Sequence, residues 1–143
     1  MLICLILPLA GCAGVADAGP GTRSADVAVP SYRPTPDAPD YCDALAGSTH
    51  LAGVPAAVGV LAAERGDVEA ELELTAAIDE LRLIGDGVSD QGGSPRLRAA
   101  VDDLVDALNS ARDDGVTTSV REVVSAALDD VGRLVQPACR FPS

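Results

Sequence analysis

A chain of 143 residues has room for one domain and a tail rather than for two domains. Apolar residues make up 48% of it, mostly Ala, Val and Leu, with one Phe, two Tyr and no Trp, so the core must be built from small aliphatic side chains. The formal charge of −12 excludes a nucleic-acid surface, which gains its affinity by neutralising phosphates with basic groups. The same acidity keeps a protein in solution and also draws basic partners. All ten basic residues are Arg, a bias expected of a high-GC coding background rather than of a chemistry.

Residues 2–10, Leu-Ile-Cys-Leu-Ile-Leu-Pro-Leu-Ala, form one uncharged apolar run. It is too short to cross a bilayer as a helix, which takes roughly 20 residues, but it suits the apolar part of a signal peptide. The run ends in Leu9-Ala10-Gly11-Cys12, which resembles the lipobox of bacterial lipoproteins. That resemblance implies a signal peptide over 1–11, diacylglyceration of the Cys12 thiol, cleavage before Cys12 and acyl chains such as palmitate at the new terminus. Cys4 would leave with the cleaved peptide. No Lys or Arg precedes the run, so the true start is expected a few codons upstream.

From Ala13 to about Pro39 the composition shifts to Gly, Ala, Ser, Thr, Asp and Pro, with no apolar periodicity. Residues 12–39 therefore read as the lipidated Cys and a disordered tether. In extended polyproline geometry, at ~3.1 Å per residue, it would reach roughly 80 Å. Pro30-Ser-Tyr32-Arg33-Pro34-Thr-Pro36 reads as spacer before it reads as a ligand for an aromatic groove.

Residues 40–143 are expected to form the domain. Two weak helical segments, Asp40–Thr49 and Pro55–Glu64, break at Gly53-Val54-Pro55 and together make one kinked pass. Asp67 can cap a helix reaching about Val88, with Leu74, Ile78, Leu81 and Val88 in its seam. Ser94 caps the clearest helix and Pro95 sits where a missing N–H costs nothing. Leu97, Val101, Leu104, Leu108 and Ala111 then alternate steps of four and three to Asp113, and Asp114-Gly115 ends the run. Ser119 and Glu122 have the spacing of a capping box. Behind it Val120, Val124, Ala127, Val131, Leu134 and Ala138 make a seam, widened by Val123, Leu128 and Val135. Asp129 and Arg133 are spaced to pair on the wet face, and Pro137 marks the end. The fold class is all-α: an up-down bundle of four passes with the first one broken.

Once Cys4 is removed and Cys12 acylated, Cys42 and Cys139 are the two thiols left. One opens the first helix and the other closes the last. An even number of antiparallel passes brings the chain back to its starting end, so the two are expected to meet in a disulfide, which an exported protein can keep. The competing reading is a reactive or metal-binding pair. It lacks the Cys-x-x-Cys spacing of redox pairs and the further ligands zinc requires.

Tyr41-Cys42-Asp43-Ala44-Leu45, Ser94-Pro95-Arg96-Leu97 and Cys139 near the C-terminus together resemble a group of small secreted or lipid-anchored proteins of high-GC Gram-positive bacteria. The likeness covers about residues 40–140. It implies a helical bundle outside the membrane, and it brings no reaction.

His50 is the only histidine, beside a predicted helix break where a solvated or capping role is expected. There is no Gly-x-Ser-x-Gly and no Gly-rich phosphate loop before a helix. Asp102, Asp103 and Asp106 fall off the apolar seam, as a solvated face would. Asp86-Gly-Val-Ser-Asp90-Gln-Gly92 lacks the alternating oxygens and terminal Glu of an EF-hand, and reads as an interhelix loop. No enzyme, catalytic residue, metal or cofactor is expected. The expected role is a binding or scaffolding lipoprotein on the outer face of the cytoplasmic membrane, held there through Cys12, with an envelope protein as partner. The alternative is a carrier of a small apolar ligand held between the helices.

Overall fold

Residues 34–141 are described by a computed structural model. The signal segment, with Leu9, Ala10, Gly11 and Cys12, lies outside the described residues, as does the tether up to Arg33.

Five helices follow one another, with no strand among the described residues: α1 (Asp40–Gly47), α2 (Thr49–Ala63), α3 (Val68–Asp90), α4 (Pro95–Asp113) and α5 (Thr118–Cys139). Connections of four residues force α2, α3, α4 and α5 to run up and down, each packed on the next. α1 and α2 meet at a 42° bend and together make the broken first pass. No single helix among the described residues is long and apolar enough to cross a bilayer.

The starts of α2, α3, α4 and α5 follow from side-chain oxygens placed to meet free amides, whereas α1 follows Pro39 with no side-chain cap. Asp67 Oδ1 accepts from the Ala70 N–H at 2.9 Å, and Ser94 Oγ accepts from the Arg96 N–H at 3.3 Å. α3 ends in a Schellman motif. Gly92 takes φ +71°, the Gly93 N–H reaches the Val88 carbonyl at 2.7 Å, and the Gly92 N–H reaches Ser89 at 3.3 Å. Asp86 to Asp90, expected in a loop, are the last turns of α3. The glycines that terminate the helix lie just beyond them.

Leu74, Ile78 and Leu81 of α3 and Leu97, Leu104 and Leu108 of α4 are fully buried, and form the centre of the core. Each such side chain is worth about 1.5–3 kcal/mol relative to leaving it in water. α2 adds Val54, Val58 and Leu61, and α5 adds Val124, Val131 and Val135. No polar or charged residue is buried among the described residues.

Several local expectations are corrected. The break in the first pass falls at Ser48, whose Oγ accepts from the Leu51 N–H at 3.0 Å and starts α2. Gly53 and Pro55 lie inside α2, with Pro55 on its exposed side. Gly53 has a packing role there: a Cβ at that position would overlap the Glu73 carboxylate. α5 starts two residues earlier than the capping box implies, because Thr117 Oγ1, not Ser119, accepts from the Val120 N–H at 3.2 Å. Pro137 lies within the last turn instead of ending the helix, which closes only where Arg140 turns left-handed at φ 50°. Val123 is 56% exposed, so it does not widen the seam. Arg133 pairs with Asp130 rather than Asp129. At the front, Ala38 packs against the core and its N–H bonds the Thr35 carbonyl at 2.9 Å, so packed structure begins inside the stretch read as tether.

Candidate functional site

Cys42 and Cys139 are joined in a disulfide, with Cα atoms 5.4 Å apart across 97 positions of sequence. Both are fully buried. The bridge fastens the start of α1 to the end of α5, so the eight residues of α1 lie across α3 and α5 at the end where the chain enters and leaves the bundle. Tyr41 and Cys42 turn inward. The opposite flank of α1 stands off from α3 and leaves an open groove of about 500 Å3.

Leu83 and Ile84 of α3 and Ala44 of α1 line the apolar part of this groove. Gly47 and Gly87 keep its walls low: a Cβ at Gly47 would meet nothing within 4 Å. Asp40, Asp43 and Glu80 supply the acidic part, and no basic residue lines it. Glu80 accepts a hydrogen bond from the Ser48 hydroxyl, so the residue that caps α2 also ties the α1–α2 elbow to α3. Asp40 and Asp43 sit in the first turn of α1, where negative charge favours the helix dipole. Neither forms an ion pair among the described residues.

About two turns back along α3 from Glu80, Glu73 Oε2 lies 3.1 Å from His50 Nδ1. His50 does not cap a helix; it stays partly solvated and bridges α2 to α3 through Glu73, the residue that also faces Gly53. Among the described residues no three of His, Cys, Asp and Glu are grouped to hold a metal ion.

On the far side, α4 and α5 enclose a second open groove of about 530 Å3. Ala107, Ala126, Ala127 and Val123 form its floor and Asp103, Asp106 and Asp130 its edges. Asp130 is already paired with Arg133. The other off-seam carboxylate, Asp102, belongs to a different cluster, in which Arg98 Nε donates to Asp102 and Nη1 to Asp86, each at 3.0 Å. Hydrogen bonds with Asp102 and then Asp86 push the Arg98 guanidinium further up. The hydrogen bond between Arg112 and Asp113 raises the one and holds the other below the ordinary carboxylate range. These pairs lie on the surface and fasten helix faces weakly.

Sequence reasoning placed Cys42 beside Cys139 but missed both grooves, since each is made by residues 30 to 50 or about 20 positions apart that no local spacing connects. The outward Leu83, one position before the buried Ile84, was the available signal. Compared with known proteins, the chain matches no family model, no curated protein and no solved structure.

Proposed function

We propose that this chain is an exported lipoprotein, anchored through acyl groups on Cys12, whose bundle is a non-enzymatic binding module at the outer face of the cytoplasmic membrane. The disulfide between Cys42 and Cys139 carries this reading, because such a bridge persists in oxidising compartments and is rare in the cytosol. Leu9-Ala10-Gly11-Cys12 supplies the anchor motif. The composition of the grooves favours a binding module over a carrier: they are open surface clefts with apolar floors and acidic edges. A ligand carried between helices would instead need an enclosed apolar space.

The decisive experiment combines acyl-mass analysis of the mature chain with crosslinking in intact cells. A Cys12-diacylated terminus in the membrane fraction, joined to one recurrent envelope protein, is the expected result. An unmodified Cys12 thiol on released protein would overturn the anchor. A chain with no recurrent crosslink would overturn the binding role.

A further inference from the structure

We propose that the α1/α3 groove docks a basic segment of a partner protein, with an Arg or Lys stem lying over Leu83 and Ile84 and its cation among Asp40, Asp43 and Glu80; this rests on the binding-module reading above. Leu83 is 72% exposed, more than any other exposed large apolar side chain of the described residues. It stands directly beside the open volume between the two helices. An exposed leucine alone is ordinary. Here it borders a cleft that two glycines keep open and three carboxylates surround.

Charge decides which occupant fits. A purely apolar segment would leave the carboxylates facing its surface and gain nothing from them. An acidic one would be repelled by the groove and by a chain of net charge −12. A long basic side chain satisfies both parts, because its methylene stem covers apolar surface while its head reaches the charges. Asp40 and Asp43 form no ion pair among the described residues, so a partner's cation displaces no existing pair at α1. The α4/α5 groove is the poorer candidate, since Arg133 already engages Asp130 at its edge.

The test uses the oxidised full-length chain and a dye-labelled peptide of alternating arginine and leucine, with a twin carrying neutral citrulline for arginine. Fluorescence anisotropy should show the arginine peptide binding and the twin binding about tenfold or more weaker, a difference of about 1.4 kcal/mol. Combined Asp40→Asn, Asp43→Asn and Glu80→Gln should weaken binding about as much and flatten its salt dependence. Ala44→Trp should block the groove and abolish binding. Asp103→Asn with Asp106→Asn, in the other groove, should leave affinity within about twofold. The substituted groove residues are exposed or half-buried, and thermal melts would confirm that each variant is folded.

Equal binding of the citrulline twin would make the occupant apolar and overturn the proposal. So would equal losses from the two sets of neutralised carboxylates, or no binding at all. If the peptide fails while the anchored chain still crosslinks an envelope protein in cells, the groove assignment falls and the binding role stands. If the peptide binds but Cys12 bears no lipid, the anchor falls and the groove assignment stands.

Discussion

The guanidinium of Arg65, in the loop between α2 and α3, occupies the space beside Gly115 where a side chain would stand. Its Nη2 donates to the carbonyl of Asp114 at 3.3 Å. Two loops are thereby clasped at one end of the bundle, opposite the end closed by Cys42 and Cys139. The clasp depends on a backbone that only glycine adopts readily, since Gly115 has φ +89°.

Gly115→Ala should therefore lower stability by about 1–2 kcal/mol through the left-handed backbone alone. Arg65 can swing aside, so the overlap adds little. Gly132→Ala is the counterpart, because that glycine lies mid-helix in α5 with open space around it. It should raise stability by about 0.5–1 kcal/mol through helix propensity. Urea melts with matched slopes would measure both. A loss at Gly132 as large as that at Gly115 would show that something other than backbone conformation governs these sites.

Gly53 works differently, since its φ is ordinary and its role is to admit the Glu73 carboxylate. Gly53→Ala should push Glu73 away from His50 and cancel the helix-propensity gain expected at an open helical glycine. A double-mutant cycle of His50→Ala and Glu73→Ala should give a coupling of about 0.2–1 kcal/mol, as for other partly exposed pairs. In the Gly53→Ala background that coupling should vanish. A coupling that survives there would mean that the pair does not depend on the glycine.

Gly53 and its surroundings show why part of the fold could be read from the sequence and part could not. Caps at Asp67 and Ser94 and the seam of α4 are local devices, and they stand where the spacing puts them. The meeting of Cys42 with Cys139 followed from counting passes, a rule about topology that needs no contact detail. Gly53-Val54-Pro55 misled because glycine and proline each have two uses. One breaks a helix, and the other makes room or faces solvent inside one. Thr117, Thr118 and Ser119 offer three successive hydroxyls, and sequence alone cannot choose which of them caps α5. The α1/α3 groove was hidden for a further reason: it exists only once the disulfide lays α1 across α3, far along the chain.

The phase of α4 is testable at two adjacent residues. Leu104 is fully buried among the core side chains, and Asp103 is exposed at the edge of the α4/α5 groove. Leu104→Ala should cost about 2–5 kcal/mol, from lost transfer energy and the cavity left behind. Asp103→Ala should stay within about ±0.5 kcal/mol, since Asp103 has no partner among the described residues. Leu and Ala are both good helix formers, whereas Asp is a weaker one, so propensity moves Asp103→Ala toward a small gain and widens the contrast between the two positions. Comparable losses at the two positions would contradict the burial pattern of α4.

The last prediction concerns what the bridge holds. In the chain-entropy view, closing a loop of 97 residues stabilises the folded state by about 4–5 kcal/mol, so reduction should lower the melting temperature substantially. The loss should also be uneven. α1 has eight residues, too few to persist as an isolated helix, and it buries only Tyr41 and Cys42. α3 and α4 contribute the largest fully buried side chains and pack on each other along their length. Hydrogen exchange on the reduced chain should therefore show amides 40–47 losing protection first while those of α3 and α4 keep theirs. Because α1 is one wall of the acidic groove, the same reduction should abolish binding of the arginine peptide before the bundle unfolds. Uniform loss of protection across all five helices would show instead that the disulfide stabilises the whole domain as a single unit, with α1 no weaker than the rest.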